Sequence, residues 1–119
     1  MPGTVLIVDD HAGFRRTVRR ALELEGWEVV GEARDGAGGL EAAQQLQPDL
    51  VLLDIGLPDE SGFVVAAKLY AAQSAHTVVL TSTRDAADYA MLARGSWAAG
   101  FVAKSELSGA ALDALLARV

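Results

Sequence analysis

Four short, predominantly apolar runs show no alternation with polar residues, and this feature limits the fold more than any other. A strand that is apolar along its whole length is buried on both faces, as in a parallel sheet covered by helices. A fifth run, Glu28–Ala33, is more polar, so we expect it nearer an edge of the sheet. The four apolar runs are Val5–Val8, Leu50–Leu53, Thr77–Leu80 and Gly100–Ala103.

A helical pattern follows each of the five runs. After the first run, Phe14, Val18 and Leu22 recur at helical spacing, and Gly26 is a typical helix stop. The other predicted helices run from Asp35 to Pro48, from Ser61 through Phe63, Ala67 and Tyr70, from Asp85 to Arg94, and from Ser108 through Leu112 to Leu116.

Strand and helix therefore alternate five times along the chain. This alternation predicts an α/β fold, in which a parallel sheet is covered by helices on both faces. Because crossovers between parallel strands are right-handed, few topologies remain, and we expect the flavodoxin-like doubly wound sheet with order 2-1-3-4-5. The 119 residues contain no linker, repeat or low-complexity tract, so we expect residues 1–119 to form a single domain.

Composition excludes several functions. With 10 basic and 16 acidic residues the net charge is -6, so we expect no direct binding to nucleic acid or to an anionic membrane. The absence of cysteine rules out disulfides and thiolate metal sites, and it agrees with a cytoplasmic location. No segment approaches transmembrane length, and Met1-Pro2-Gly3 leads straight into a strand, which leaves no room for a signal peptide.

Polar residues stand directly after four of the strands. In the order 2-1-3-4-5, strands one and three are neighbours at the switch point, where ligands bind beyond the carboxyl ends of the strands. The residues predicted to meet at that edge are Asp9, Asp10, Asp54, Thr81 and Lys104.

Each of these residue types suits phosphoryl transfer to a carboxylate. Three neighbouring carboxylates repel one another, and a hard divalent cation such as Mg²⁺ relieves that repulsion. An ionised Asp54 beside the cation could act as a nucleophile toward a phosphoryl group. Lys104 would supply positive charge to a phosphoryl oxygen, and the Thr81 hydroxyl a neutral donor.

Taken singly, each residue has a simpler interpretation. The acid pair Asp9-Asp10 and Asp54 could cap turns, Thr81 could bond its own backbone, and Lys104 could be a solvated surface charge. These interpretations are independent of one another. Their joint coincidence at one edge of the sheet is improbable, which favours the site.

The chain resembles a receiver domain of bacterial two-component response regulators over essentially its full length. Each matching piece is weak alone, but their order and spacing are together highly specific. The matching pieces are Val8-Asp9-Asp10, Leu53-Asp54-Ile55-Gly56-Leu57-Pro58, Gly62, Leu80-Thr81-Ser82 and Gly100-Phe101-Val102-Ala103-Lys104.

The resemblance implies a metal-dependent phosphoacceptor. Asp54 would accept a phosphoryl group from a phosphohistidine on a sensor histidine kinase or phosphotransfer protein. Asp10, Asp54 and the Gly56 carbonyl would hold Mg²⁺ directly, with Asp9 helping through water. Thr81 and Lys104 would bind the phosphoryl oxygens, so the domain would catalyse only its own phosphotransfer and autodephosphorylation.

The resemblance also implies a switch. Phe101 matches the aromatic residue whose rotamer reports phosphorylation in the family, and Thr81 is the expected switch hydroxyl, although Ser82 offers a second one. Output is expected at the surface of strands four and five, toward a downstream protein or an output domain absent from this chain. A homodimer formed on phosphorylation is a further expectation.

Several positions refine the resemblance. Many receivers have proline after the lysine, whereas Ser105 stands here, and this feature together with His11 resembles receivers of the LuxR/FixJ-type regulators. Gly56, two residues beyond the acceptor, and Thr83, two beyond Thr81, are the positions expected to tune dephosphorylation.

Two other functions fit the fold less well. An aspartyl-nucleophile phosphohydrolase needs a second aspartate two residues after the nucleophile, where this chain has Gly56. A flavodoxin-type flavin carrier needs a phosphate-binding loop after the first strand, where Asp9 and Asp10 would repel the phosphate.

The arginines and histidines of the chain allow further expectations. Four arginines at positions 15, 16, 19 and 20 form one helix face, which is either solvated or a surface for docking a kinase. His11 and His76 have no partners at metal-ligand spacing in the sequence, so we expect no zinc site.

Overall fold

All five strands form one parallel sheet in the order β2-β1-β3-β4-β5. The computed structural model describes residues 3–72, 77–83, 100–107 and 110–111. The flavodoxin-like topology predicted from the sequence is confirmed, and the polar run β2 lies at an edge as expected. The strands are β1 (Thr4–Val8), β2 (Glu28–Ala33), β3 (Leu50–Asp54), β4 (Thr77–Ser82) and β5 (Gly100–Ala103).

Three helices and one 3₁₀ turn are described. Two of these helices begin at a side-chain cap, with Asp35 accepting from the Gly38 N–H at 2.7 Å and Ser61 from the Phe63 N–H at 3.1 Å. The predicted helix that begins at Asp85 lies outside the described residues. Of the helix predicted to begin at Ser108, only residues 110–111 are described, and both are helical. The described elements are α1 (Ala12–Leu24), α2 (Gly36–Leu46), α3 (Gly62–Ala71) and the 3₁₀ turn Lys104–Glu106.

The predicted stop of α1 at Gly26 is confirmed. Gly26 has φ of 96°, a conformation that glycine adopts without steric cost. Its N–H donates to the Glu23 carbonyl at 3.1 Å, and the Trp27 N–H donates to the Leu22 carbonyl at 3.0 Å. This pair of bonds is a Schellman motif, and it turns Trp27 into the core beside Leu22.

The sheet has a hydrophobic core on each face. Alternate residues of a strand point to opposite faces, so β3 contributes Leu50 and Leu52 to one core and Val51 and Leu53 to the other. Both cores are needed to bury runs that are apolar at every position, which is why the strands lack polar alternation. The first core includes residues of α1, and the second includes residues of α2 and α3.

The residues that predicted the helix α3 do not define its buried stripe, although Phe63 packs against the second core. Val65, Ala66 and Leu69 are buried, whereas Tyr70 is 59 % exposed. The helix is apolar around most of its circumference, so its periodicity does not identify the buried face. Packing against the sheet decides which stripe is covered.

The arginine face of α1 divides into two parts. Arg15 Nε lies 3.0 Å and Arg19 Nη1 2.7 Å from the two carboxylate oxygens of Glu32 on β2. The Arg19 hydrogen bond is the main reason that the pKa of Glu32 is lowered. Arg16 and Arg20 are exposed, and the Arg19 side chain remains 40 % exposed, so the docking surface stays a prediction.

Within the described ranges, no helix has both the length and the apolar character needed to span a bilayer.

Candidate functional site

The strand register brings the predicted site residues to one face of the sheet. Asp54, the last residue of β3, is the direct neighbour of Thr81 on β4, and the Ile55 N–H donates to the Thr81 carbonyl at 2.9 Å. Asp54 follows Leu52 by two positions and Thr81 follows Val79 by two, so both point toward the core on the α1 side. The apolar core thus ends in a polar layer at the carboxyl edge of the sheet.

Thr81 belongs to β4 rather than to the loop that follows it. The predicted apolar strand Thr77–Leu80 ends in the hydroxyl residues Thr81-Ser82-Thr83, and backbone pairing continues through Ser82, which neighbours Ala103 on β5. Thr81 is 1 % exposed. Its position is therefore fixed by pairing on both sides, with Asp54 on one side and Val102 on the other.

Asp9 is buried, and each of its carboxylate oxygens has a polar or charged group close by. Its N–H donates to the Ala33 carbonyl at 3.0 Å, and its own carbonyl accepts from Arg15 Nη1 at 2.6 Å. One carboxylate oxygen accepts from the His11 N–H at 2.8 Å. The other lies 2.5 Å from Lys104 Nζ. Because Asp9 is 1 % exposed, these contacts replace water as the groups that stabilise its charge.

Lys104 reaches the acidic residues from the end of β5. Its Nζ lies 2.5 Å from the Asp9 carboxylate and 3.8 Å from that of Asp54, and its side chain is 9 % exposed. The same ammonium lies 4.3 Å from the centroid of the Phe14 ring, within the range of a cation–π interaction. The sequence treated Phe14 only as an apolar position of α1, because contact between residues so far apart in the chain leaves no local pattern.

The environment of Asp54 raises the pKa of its carboxyl group. Burial is the main cause, and the nearby charge of Asp9 adds to it. The Lys104 ammonium and a hydrogen bond from the Gly56 N–H lower the pKa of Asp54 and partly offset these effects. The Asp54 carboxylate therefore lies near a cation and a backbone N–H, but the Lys104 ammonium, at 3.8 Å, is too far away to form a close ion pair with it.

Three carboxylates and one imidazole converge at this edge. One ligand atom from each of Asp9, Asp10, His11 and Asp54 can be chosen so that all four lie within 4.8 Å of one another. Oxygen ligands in this number suit a hard divalent cation such as Mg²⁺, which would also relieve the repulsion between Asp9 and Asp54. The residues present therefore fit the predicted metal.

His11 is less isolated than the sequence suggested. Its Nδ1 lies 3.1 Å from a carboxylate oxygen of Asp9 and 3.1 Å from one of Asp10. The imidazole is 64 % exposed, so it covers the acid pair from the solvent side.

A cavity of about 240 Å³ opens above Asp54. Gly56 is exposed at its edge, and a Cβ at this position would meet nothing within 4 Å. Since a water occupies about 30 Å³ of liquid volume, the cavity has room for a phosphoryl group and several waters. Its lining residues are His11, Asp54, Ile55, Gly56, Ser82, Thr83 and Lys104.

Phe101 lies on the opposite face of the sheet from Asp54. It pairs with Leu80, is partly buried, and packs against the core that contains Leu53. Phe101 is therefore separated from the cavity by the sheet itself. Its strand neighbour Val102 lies beside Thr81, which places the predicted switch pair on adjacent strands.

Comparison with known proteins identifies the family. The family described as "Response regulator receiver domain" matches residues 5–116. The chain belongs to this family. It is thus a receiver domain of the response regulators of two-component systems, as its resemblance implied.

Relatives and solved structures agree with this assignment. BvgA of Bordetella pertussis, named as a transcription regulator of virulence factors, is 41% identical over 106 residues, which cover 89% of this chain and 51% of BvgA. The signal receiver domain of a NarL response regulator from Mycobacterium tuberculosis is 38% identical, with a TM-score of 0.83 and 97% of each chain covered. A LuxR-family response regulator from Aurantimonas has 27% identity and a TM-score of 0.86, covering 99% of this chain and 87% of that chain.

The similarity to regulators of the LuxR type is confirmed by the relative from Aurantimonas. This receiver domain spans about half the length of the curated relatives it matches first.

Proposed function

We propose that this receiver domain accepts a phosphoryl group on Asp54 from a phosphohistidine of a sensor histidine kinase or phosphotransfer protein. The observation that carries the proposal is the position of Asp54, which faces a cavity of about 240 Å³ while Lys104 and Thr81 lie beside it. A carboxylate held for packing alone would not need an open cavity, a nearby ammonium and a neighbouring hydroxyl.

The proposed phosphoryl transfer forms one bond to phosphorus and breaks another. A carboxylate oxygen of Asp54 forms a bond to phosphorus, and the bond from phosphorus to the histidine nitrogen breaks. The imidazole leaves with the electron pair of that bond, and Asp54 becomes an acyl phosphate. When bound by Asp10, Asp54 and the Gly56 carbonyl, with Asp9 acting through water, Mg²⁺ would neutralise negative charge on the transferred group.

Lys104 has two partners in this proposal. In the described structure its ammonium is closest to Asp9, 2.5 Å away, and is 3.8 Å from Asp54. After transfer it would bind a phosphoryl oxygen, and the Thr81 hydroxyl would donate to another. A small movement of a flexible lysine side chain is sufficient for this exchange.

Signal output is proposed to pass through β4 and β5. Phe101 pairs with Leu80, which directly precedes Thr81 in β4. A shift of Thr81 toward a phosphoryl group would therefore change the surroundings of Phe101. The population of an active conformation would then rise at this surface. The receiver of the signal would be a downstream protein or an output domain, with homodimerisation on phosphorylation as one route.

The lifetime of the phosphoryl group is proposed to depend on Gly56 and Thr83. Both line the cavity, and Gly56 has no side chain that could block or orient an attacking water. The domain would catalyse its own phosphotransfer and dephosphorylation only, in the cytoplasm.

The test is phosphorylation by acetyl phosphate with Mg²⁺, followed by mass spectrometry of the intact protein. One phosphate mass should appear in the wild type, should be absent in Asp54→Asn, and should be absent when EDTA removes the metal. Asp49→Asn is a matched control, because Asp49 precedes the same strand and is exposed at its opposite end. Failure of the wild type to gain phosphate from acetyl phosphate or a cognate kinase would refute the proposal.

A further inference from the structure

Asp59 lies in the connection between β3 and α3, outside the acidic residues of the site. We propose that Asp59 is a positioning residue, which ties the loop of residues 55–61 to α2 and thereby fixes Gly56 beside Asp54. The inference rests on the proposed function, because it concerns the metal and phosphoryl chemistry of that site.

Both carboxylate oxygens of Asp59 bind the start of α2. Oδ1 accepts from the Gly36 N–H at 2.8 Å, and Oδ2 accepts from the Ala37 N–H at 3.0 Å. These two donors are among the backbone groups that a helix leaves without internal partners. The bonds also lower the pKa of Asp59, so the carboxylate is charged at neutral pH and interacts favourably with the positive end of the helix.

The contact leaves little free space between the loop and α2. A Cβ at Gly36 would come within 2.9 Å of Val65, 3.1 Å of Glu60 and 3.2 Å of Asp59. Glycine at this position therefore allows the backbone of α2 to approach the loop. The two hydrogen bonds of Asp59 form only because of this close approach.

The other end of the loop is fixed by a separate bond. The Gly62 N–H donates to the Ile55 carbonyl at 2.8 Å, which closes the loop onto itself next to Asp54. Gly56 lies inside this closed segment. It is exposed and has no side chain, so no side-chain packing of its own can hold it in place.

The position of Gly56 matters twice for the site. Its N–H lies near enough to the Asp54 carboxylate to lower the pKa of that group, and its carbonyl is the proposed backbone ligand of Mg²⁺. A metal ligand must be held close to its productive position, and the residues that hold it are commonly worth a factor of 10–100 in metal affinity. Asp59 anchors this loop to α2 through two charge-assisted bonds. Elsewhere in the loop Glu60 binds Lys68 of α3, and Leu57 is buried in the second core.

Asp35 provides an internal control. Its carboxylate also caps α2, accepting from the Gly38 N–H at 2.7 Å. Asp35 belongs to the connection between β2 and α2, however, and not to the loop that carries Gly56. Loss of either aspartate weakens the same end of the same helix, but only loss of Asp59 removes the hydrogen bonds between this helix and the loop.

The experiment compares Asp59→Asn with Asp35→Asn in the full chain. Mg²⁺ affinity is measured by isothermal titration calorimetry, the Gly56 amide is followed by ¹⁵N–¹H NMR without metal, and folding is checked by urea denaturation. We expect Asp59→Asn to weaken Mg²⁺ binding about tenfold and to shift the Gly56 amide resonance. Asp35→Asn should change neither, although both variants lose some stability.

Equal Mg²⁺ affinities and unshifted Gly56 amides in the two variants would overturn the inference and leave Asp59 as a helix cap only. Asp59→Ser, measured in parallel, replaces the carboxylate with a short neutral cap and should behave like Asp59→Asn. A wild-type protein that binds no Mg²⁺ and gains no phosphate would instead refute the proposed function, so the two failures are distinguishable.

Discussion

Gly62→Ala should destabilise the protein although the substitution places a better helix former in α3. A Cβ at this position would lie 2.5 Å from the Asp54 carbonyl oxygen, 2.8 Å from the Ile55 Cα and 3.1 Å from the Asp54 carbonyl carbon. All three atoms belong to the backbone, so no side-chain rotation can relieve the overlap. The backbone of the acceptor loop has to move instead.

The expected size follows from two opposing effects. Overpacking of this kind costs about 1–3 kcal/mol, and we take the upper end because the contacts are with backbone. Replacing glycine by alanine in a helix contributes about 0.5–1 kcal/mol in the other direction. The net loss is therefore about 2 kcal/mol. With an unfolding entropy of about 2.1 cal/mol/K per residue, this loss should lower the Tm by about 8 °C.

Gly13→Ala is the matched control, since Gly13 lies in the first turn of α1, is exposed, and would place its Cβ within 4 Å of nothing. It should gain about 0.5–1 kcal/mol. Both variants are measured in EDTA by thermal and urea denaturation. Equal stability of the two variants would show that the close approach of Gly62 to Asp54 does not constrain the fold, and the steric argument would be wrong.

Three further predictions concern the charges of the site. Lys104→Met should lower the free energy of unfolding in EDTA by about 3 kcal/mol, because it leaves the buried Asp9 charge without its cation. Lys68→Met is the control: it breaks a more exposed pair with Glu60 and should cost less than about 1 kcal/mol. Equal losses in urea denaturation would contradict the reasoning. The raised pKa of Asp54 means that the folded state binds its proton more tightly than the unfolded state, so this contribution to stability is present at low pH and is lost as pH rises through the folded-state pKa. Asp54→Asn should therefore stabilise the metal-free protein by about 1 kcal/mol near pH 8, and this gain should vanish as the pH falls to about 4. A gain in stability that is the same at both pH values would be inconsistent with an origin in the Asp54 charge. Mg²⁺ at 100 times its Kd should stabilise the wild type by about 2.7 kcal/mol and Asp54→Asn by much less, as measured by thermal denaturation with and without EDTA.

Much of the fold could be predicted from local pattern. Continuous apolar runs identified the strands because a strand buried on both faces cannot alternate, and Gly26 and Ser61 marked helix ends through backbone chemistry that depends on a few neighbouring residues. The strand order followed from the alternation of elements and the handedness of crossovers.

Other features depend on which surfaces meet. The buried stripe of α3 was not predictable because the helix is apolar on several sides, so only its contact with the sheet selects Val65, Ala66 and Leu69. The exact end of β4 also depends on its neighbours, since pairing with β3 and β5 extends the strand beyond its apolar run through Thr81 and Ser82.

By itself, the sequence determined the residue types at the strand ends and the edge at which they meet. The resemblance to receiver domains then named their roles. Tertiary structure alone decided how these residues are held: the contact of Lys104 with Asp9, the Phe14 ring near the ammonium, and the bonds from Asp59 to α2. The physical reason is that periodicity and turn chemistry are local, whereas each of these contacts joins residues from separate elements, whose distances exist only once the sheet and helices have packed.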